Sequence, residues 1–356
     1  MSDLLAAHGE HFRKQAGWCE RLGSPFNAAL LRGLADRFGE GHVLDELLAT
    51  GETPLSPNAA DAGPLRIAGA LHALVLGGRD DELEAQYPAN NPGWDMAGVV
   101  PVALEAVARH RGWVADFITR PPQTNETRRA IGFLPGFEGL TGPLHLLEIG
   151  ASAGLNQHWE VFGYDGGHWF REGAPGAPVM HTEWTGAPPD LPEQVEIASR
   201  RACDLTPLDI REDYDRLRLK SYIWPDQAER LDRLDKAVAI ALERGVQVEA
   251  ANAADWLEDI LSRPLPEGTS VIYHSIAWQY FDADTHRRAS AAIEAAGART
   301  DDDHRLVWLR YEHTRIFNRE GNSLRHELDR VSWPGGVHER LASVDPHGLS
   351  VTRLEN

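Results

Sequence analysis

The sequence predicts an α/β protein in which an all-helical N-terminal region precedes a doubly wound sheet. Apolar residues recur at helical spacing from the start of the chain to about Phe137, with almost no β-branched alternation. From Leu144 onward, short apolar runs alternate with amphipathic ones, which is typical of βαβ units on a mostly parallel sheet. The last segment, 318–356, contains no long helical pattern. We therefore expect a helical cap and substrate region over residues 1–140 and a cofactor-binding domain over residues 141–356.

Composition and charge limit the classes of function. The chain has 356 residues, of which 42% are hydrophobic and 25% are charged, and these are globular values. Lys and Arg number 35 against 54 Asp and Glu, so the formal net charge is -19. Such a field repels nucleic-acid phosphates and anionic lipid, so we expect neither as a partner. A small-molecule substrate is the expected partner, and the sequence leaves the oligomeric state open.

The lack of a recognisable signal peptide and the low number of cysteines lead us to expect a cytoplasmic protein. The first residues mix charged and polar side chains without the apolar core of a signal peptide. The longest apolar stretch, IAGALHALVLGG, is shorter than the about 20 residues that a membrane span needs. Two cysteines, Cys19 and Cys203, are too few for a disulfide framework.

The N-terminal helices carry recognisable ends. Ser24 before Pro25 is typical of an N-cap with proline at the first helical position. The Gly77-Gly78 pair is typical of a helix end. The helical runs are SPFNAALLRGLADRF, LRIAGALHALVLGG and MAGVVPVALEAVARHRGWVADFI.

The C-terminal half begins with the predicted strand LHLLEIG, and ASAGLNQHWEVF then predicts a turn that opens into a helix. The elements expected after it are EIASRRACDL, the long helix PDQAERLDRLDKAVAIALERG, VQVEAA, ADWLEDILS, TSVIYHSI, THRRASAAIEAAG and RLVWLRYE. The chain end predicts an antiparallel edge hairpin with Gly335-Gly336 in its turn.

The strongest local signal is Glu148-Ile-Gly-Ala-Ser-Ala-Gly154, between the first predicted strand and its helix. Small residues there let the backbone approach a ligand, and a helix N-terminus adds free amides and a positive dipole end. The same string is also a literal G-x-S-x-G nucleophile elbow around Ser152. An elbow follows several strands and an oxyanion loop, whereas everything before Leu144 is predicted to be helical. The context therefore favours a cofactor loop.

A cofactor loop of this kind is accompanied by an acidic residue that ends the second strand and holds ribose hydroxyls. Asp204 fits that role if the Gly/Pro-rich stretch from residue 163 to 192 is an insertion. Glu183 is the alternative if the run VMHTEW is the second strand.

The segments LLEIGASAGLN, QTNETRR, CDLTPLDI and IWPDQAERLDRL resemble an uncharacterised bacterial family, domain of unknown function 2332, over nearly the whole chain. That family resembles Rossmann-like S-adenosylmethionine-dependent methyltransferases, whose first motif is acidic-x-Gly-x-Gly-x-Gly. Ser152 departs from the motif, since the methyltransferases have glycine there. The resemblance implies S-adenosylmethionine as cofactor and an unidentified acceptor.

The resemblance also implies a set of cofactor-binding residues. They are Glu148, Gly150, Ala151, Ser152, Gly154 and Asn156 around the loop, Asp204 and Leu205 for the ribose region, Asn252 and Ala253 near the adenine, and His274 at the end of the fourth strand.

Candidate acceptor-binding residues come from two places. Gln123, Asn125, Glu126 and Arg128 lie between the two regions, and Trp224 and Trp278 offer aromatic faces to a sulfonium. We expect the acceptor pocket between the fourth strand's carboxyl end and the helical region. The first group could instead cap a helix through Thr124 or Asn125, and Asp226 beside Trp224 could likewise be a helix N-cap.

Two residues are candidates for catalysis. His274, at the end of the fourth strand, is either a general base for the acceptor or a structural histidine, and Tyr280 follows it. In-line methyl transfer needs mainly positioning and desolvation, so an indispensable catalytic side chain is not required.

No metal is predicted. His8 and His11 could share a helix face, and the run Tyr311-Glu312-His313 adds a carboxylate and an imidazole, but neither group offers a convincing third ligand. The predicted function is thus that of a methyltransferase or S-adenosylmethionine-binding protein. The alternatives are a non-catalytic nucleotide-binding module and a serine esterase that uses Ser152.

Overall fold

The computed structural model describes residues 2–49, 55–58, 61–317 and 325–354. The chain divides into two compact units, each built from two segments. Unit 1 comprises Met1–Thr124 and Glu212–Leu231, and unit 2 comprises Asn125–Arg211 and Asp232–Asn356. No helix of the described residues has the length and apolar character required to cross a membrane.

The described residues form twelve α-helices. They are α1 (Ser2–Arg21), α2 (Pro25–Ala35), α3 (Val43–Ala49), α4 (Gly63–Leu76), α5 (Asp81–Glu84), α6 (Met96–Arg109), α7 (Arg111–Phe117), α8 (Arg129–Phe137), α9 (Asp213–Ser221), α10 (Ala228–Arg244), α11 (Ala253–Leu261) and α12 (Ala283–Gly297). Three 3-10 helices cover Leu155–Val161, Trp278–Tyr280 and Thr314–Phe317.

Twelve strands are also described. They are β1 (Leu144–Ile149), β2 (Gly163–Asp165), β3 (Phe170–Arg171), β4 (Val179–His181), β5 (Glu183–Thr185), β6 (Ile197–Asp204), β7 (Val248–Ala250), β8 (Gly268–Ser275), β9 (His304–His313), β10 (His326–Trp333), β11 (Val337–Val344) and β12 (Ser350–Arg353).

The described residues of unit 1 contain helices and no strand, and the apolar spacing predicts this for its first segment. The Ser24 hydroxyl accepts a hydrogen bond from Asn27 N at the start of α2, which confirms the predicted cap. The carboxylate of Asp226 accepts from Phe26 N at 2.9 Å, so this aspartate holds the start of α2. The α4 helix ends before Gly77, as predicted.

Unit 2 contains a nine-stranded sheet in the order β5-β12-β11-β10-β9-β8-β1-β6-β7. Five neighbouring strands of this sheet, β7, β6, β1, β8 and β9, are parallel to one another. If these five are numbered 1 to 5 by their position in the chain, their order across the sheet is 3-2-1-4-5. Strands β10, β11 and β12 continue the sheet with antiparallel pairing. The turn between β10 and β11 contains the predicted Gly335-Gly336 pair, which confirms an antiparallel hairpin over the described residues of the C-terminal segment. The expected edge position is wrong, because β12 and β5 continue the sheet beyond β11. The start of that segment, 318–324, lies outside the described residues.

Helices cover both faces of this sheet. On one face α11 and α12 pack against the apolar side chains of β1, β8 and β9, including Ile149, Ile272 and Leu306. On the other face α8 approaches closely: a Cβ on Gly132 would lie 2.6 Å from the Tyr311 ring. The helix α8 packs on the sheet of unit 2 and belongs to that unit, whose first segment begins at Asn125.

Two sequence expectations about the second strand are resolved by the topology. The stretch from residue 163 to 192 is an insertion, because β2, β3 and β4 form a separate three-stranded sheet. The strand beside β1 is β6, which ends at Asp204. The alternative with Glu183 is wrong, since β5 lies at the far edge, six strand positions or about 29 Å from β1.

Candidate functional site

The loop after β1 is shaped by two glycines that no other residue can replace without displacement. Gly150 has φ of 67°, and a Cβ there would lie 2.4 Å from the Ala277 Cβ. Gly154 has φ of 71°, and its Cβ would lie within 2.9 Å of the side chains of Gln157, Val246 and Val248. The chain between them therefore passes close to the end of β8 on one side and to β7 on the other.

Two residues without glycine's freedom adopt the left-handed conformation at adjacent strand ends. Ser152, after β1, has φ of 55°, and Ile276, after β8, has φ of 52°. A β-branched residue at positive φ is a rare and costly conformation, and such residues concentrate at functional sites. The backbone strain therefore marks the carboxyl edge of β1 and β8 as the candidate site.

The amides of this loop are already used inside the protein. Ser152 N donates to Asp204 Oδ2 at 2.8 Å, and Leu155 N donates to Asn125 Oδ1 at 3.0 Å. Ala151 N donates to the carbonyl of Cys203, and Gly154 N donates to that of Ala151. The following segment is a seven-residue 3-10 helix with a non-helical residue inside, where the sequence predicted a helix that presents its N-terminus to a ligand. The four amides named are therefore hydrogen-bonded within the protein, although the sequence predicted free amides at this loop.

The loop and its 3-10 helix contain several buried polar atoms without a hydrogen-bond partner. Gln157 Nε2 and Trp159 Nε1 are donors, and two others, on Ser152 and Asn156, are acceptors. Ser152 Oγ is buried and has no hydrogen-bond partner. Asn156 donates through Nδ2 to the Glu126 carbonyl at 3.4 Å, while its buried Oδ1 accepts nothing. Buried polar atoms are nearly always paired in native proteins, so these two oxygens call for a ligand or water with N–H or O–H groups.

Glu148 adds a carboxyl group to the same segment. Its side chain is 4% exposed, and its closest hydrogen-bond donor is the Tyr273 hydroxyl at 3.4 Å. Desolvation is the main reason why the pKa of Glu148 rises to about 8. The hydrogen bond from Tyr273 lowers this pKa by a smaller amount, and the Asp204 carboxylate raises it slightly.

Residues 125–129 hold the strand-end loops together. Asn125 binds the β1 loop through Leu155 N, and Arg129 donates to the Ser275 carbonyl at 3.2 Å beyond β8. Glu126 Oε1 accepts from Arg128 N at 3.2 Å. The N-cap of α8 is Arg128 and has no side-chain cap bond, so neither Thr124 nor Asn125 caps that helix. These candidate substrate residues make contacts that position the loops.

The predicted ribose and adenine residues lie at the ends of β6 and β7. Asp204 accepts from Ser152 N and, through Oδ1, from Thr206 N at 3.0 Å, so it shapes the loop in addition to any ligand contact. Leu205 is 73% exposed. Asn252 is the N-cap of α11, and its Nδ2 donates to Thr285 Oγ1 at 3.1 Å. Both ends of the Asn252 side chain are therefore engaged, and the next residue, Ala253, is buried.

His274 lies inside the protein with both ring nitrogens bound. Trp308 Nε1 donates to His274 Nε2 at 3.1 Å, so this nitrogen is an acceptor and the ring is neutral with its proton on Nδ1. Nδ1 donates to Glu312 Oε1 at 2.7 Å, and the same oxygen accepts from the amides of Ala277 and Trp278. His274 is fully buried, so these contacts support the structural alternative over the general base.

The aromatic candidates are arranged differently from the expectation. Trp278 is 6% exposed, and the imidazoles of His274 and His286 stack on its ring at 4.9 and 5.2 Å. Its indole is therefore part of an aromatic stack in the core. Tyr280 is 78% exposed. Gln123 and Trp224 belong to unit 1, whereas the other candidates belong to unit 2.

Sequence reasoning missed Glu312 and Tyr273. The sequence suggested Glu312 only as a metal candidate, yet its Oε1 accepts hydrogen bonds from three N–H donors, two of them in the turn after β8. The available signal was an acidic residue near the carboxyl end of a strand that contains the apolar run LVWL, because a buried carboxyl group needs hydrogen-bond partners.

The esterase alternative has the backbone of a nucleophile elbow without its base. Positive φ at Ser152 is the strained turn that such an elbow needs. A nucleophilic serine is activated by a hydrogen-bonded base, and Ser152 Oγ has no partner.

The metal candidates form no metal site among the described residues, where no group of three or more potential ligands occurs. His8 is fully buried, so it is not the solvated histidine that one alternative expected.

Comparison with known proteins gives a family. The family described as uncharacterized protein conserved in bacteria (DUF2332) matches residues 9–353. The chain belongs to this family. No curated protein and no solved structure matches it.

Proposed function

We propose that this DUF2332 protein binds S-adenosylmethionine at the carboxyl ends of β1 and β6 and transfers the methyl group to a small-molecule acceptor. The observation that carries the proposal is the set of acceptors at the β1 loop. Ser152 Oγ and Asn156 Oδ1 are buried without partners, and the Glu148 carboxyl precedes them in β1. These groups fit the ammonium end of the cofactor, which donates three N–H groups.

The same loop argues against a pyrophosphate cofactor. A pyrophosphate needs free backbone amides and a helix N-terminus, as in dinucleotide-binding loops. The amides of Ser152 and Leu155 are bound to Asp204 and Asn125, and only a short 3-10 helix follows. A cationic sulfonium ligand is therefore favoured over a dinucleotide.

The topology supports this placement. The parallel strands have the order 3-2-1-4-5, which is that of doubly wound nucleotide-binding sheets, and ligands of such sheets bind beyond the carboxyl ends of the strands. Asp204 ends the strand next to β1, where its carboxylate would accept from ribose hydroxyls while it holds Ser152 N. The exposed side chain of Leu205 would contact the adenine.

When bound, the cofactor would supply a methyl group on an already activated sulfonium. The chain's residues would then bind, orient and exclude water. Glu148, Ser152 and Asn156 would hold the amino-acid end. Asn125 and Arg129 would fix the loops around the reacting centre, because they tie the β1 loop and the end of β8 to one segment.

The test is calorimetry with S-adenosylmethionine on the wild type and on Ser152→Ala. Loss of one hydrogen bond to the charged ammonium group, about 1.5–3 kcal/mol, should raise Kd about 10- to 100-fold. The same variant should raise the melting temperature of the free protein, because it removes an unpaired buried hydroxyl. Ser262→Ala, at an exposed serine away from the β1 loop, is the control for affinity and should leave Kd unchanged.

Three outcomes decide between the alternatives. Tighter binding of NAD than of S-adenosylmethionine, or the absence of any heat with the latter, would refute the proposal. Binding without methyl incorporation into any metabolite extract would favour the non-catalytic module. A fluorophosphonate adduct on Ser152 would favour the esterase.

A further inference from the structure

Glu148 is a buried carboxyl group without a positive partner. Among the described residues no cationic side chain pairs with it, and its one close donor is the Tyr273 hydroxyl from β8. The Asp204 carboxylate from β6 is the charged group that acts on it. The only charged residue of α8 is Arg129, whose guanidinium donates to the carbonyls of Pro346 and Ser275.

An ionised carboxylate in this position is costly for two reasons. Burial removes it from water, and a second carboxylate repels it. Both effects favour the protonated form, and desolvation is the larger of the two, with the result that the pKa of Glu148 rises to about 8. In the free protein at neutral pH the group is therefore mostly a neutral acid.

A ligand ammonium beside Glu148 would reverse this balance. The unpaired oxygens of Ser152 and Asn156 accept hydrogen bonds, so they select the same kind of ligand group, a donor with several N–H bonds. Once such a cation is bound, a carboxylate is more favourable there than a neutral acid, since opposite charges attract strongly where water is excluded.

We propose that Glu148 holds a proton in the ligand-free protein and releases it to solvent when the ammonium group of an amino-acid-bearing ligand binds at the β1 loop. The inference rests on the proposed function, because S-adenosylmethionine is the ligand that brings this group. The exchange is balanced: the carboxylic O–H bond breaks, its proton passes to buffer, and the carboxylate accepts an N–H of the incoming ammonium.

The experiment is calorimetry at pH 6.5 in phosphate and in Tris, buffers with very different heats of ionisation. The difference in observed heat gives the number of protons released, and we expect close to one for S-adenosylmethionine. Affinity should also rise with pH, with Kd falling up to about 10-fold between pH 6 and pH 7, as linkage requires for one proton released.

Two controls assign the proton. 5′-Methylthioadenosine keeps the nucleoside and the thioether but lacks the amino-acid end, so its heat should be the same in both buffers. The variant Glu148→Gln should bind S-adenosylmethionine with no proton release and with a Kd independent of pH over the same range.

The outcomes separate this inference from the proposed function. If S-adenosylmethionine binds with the same heat in both buffers, the proton linkage is wrong and the cofactor assignment stands. If proton release persists in Glu148→Gln, another group supplies the proton and the inference is also wrong. If neither S-adenosylmethionine nor 5′-methylthioadenosine binds, the proposed function fails and the inference fails with it.

Discussion

The variant Glu148→Gln should be more stable than the wild type in the absence of ligand, and this difference in stability should grow as the pH rises. The pKa of this carboxyl is about 8 in the folded protein, against an ordinary value of 4.5. Below pH 4.5 both the folded and the unfolded chain carry the proton, so the group has no effect on stability. Above it the unfolded chain loses the proton while the folded protein keeps it. Each pH unit up to about 8 then lowers the free energy of unfolding by about 1.4 kcal/mol.

The magnitude follows from that window. At pH 7 the wild type should have lost on the order of 3 kcal/mol through this one group, a cost that the glutamine variant avoids. Urea unfolding at pH 5, 6 and 7 measures it, since the difference between Glu148→Gln and wild type should grow by about 1.4 kcal/mol per unit.

Glu243→Gln is the control for this experiment. Glu243 is exposed on α10, and the difference between this variant and the wild type should stay constant from pH 5 to pH 7. If the Glu148→Gln difference is equally constant, Glu148 is ionised in the folded protein and the reasoning from its burial is wrong.

The remaining predictions concern the same strand ends. Gly150→Ala should lower the free energy of unfolding by about 1–3 kcal/mol more than Gly245→Ala does. Both glycines have positive φ, but only a Cβ on Gly150 would meet another atom. Urea unfolding of the two variants measures the difference, and equal losses of stability would contradict the prediction. His274→Ala should destabilise the fold by about 2–4 kcal/mol and leave the affinity for S-adenosylmethionine unchanged, and a weakened affinity in the folded variant would restore the ligand-contacting role. Trp308→Phe leaves one ring nitrogen of that histidine unpaired and should cost about 1–3 kcal/mol, measured by thermal melting. Asp204→Ala should both weaken cofactor binding and lower the melting temperature, since this carboxylate also holds the β1 loop; unchanged melting would show that the loop does not depend on it.

The sequence was sufficient to predict most elements of unit 2 and their order. Strands β8 and β9 contain the short apolar runs VIY and LVWL and lie between clear helical runs, so the alternation of periods identifies them. The helical N-terminal segment was equally readable from its spacing. The nature of the helix after β1 was not predictable in this way, because the composition of LNQHWEV is compatible with several kinds of helix and its packing decides the outcome.

The candidate site was predictable in its location and less so in its contacts. The glycines around Ser152 marked the loop, since close approach of the backbone has a recognisable composition. The hydrogen-bond partners of individual side chains were not predictable from the sequence, because they involve residues far apart in the chain. Asn125 reaches Leu155, and His274 reaches Glu312, through contacts that only the folded sheet creates.

The partition of unit 1 between two chain segments has a consequence for how the protein matures. The aspartate that holds the start of α2 is residue 226, and it is synthesised long after α2 itself. On the ribosome the helical unit therefore remains incomplete until residue 231 has emerged, by which time β1 and β6 of unit 2 are already outside. At a synthesis rate of about 5–20 residues per second, the first seven helices therefore expose apolar surface for several seconds before the second segment of unit 1 is available. Neither unit can then be moved to another protein as a single N-terminal or C-terminal segment. A chain shortened to begin at residue 144 would retain α9 without the helices that bury it.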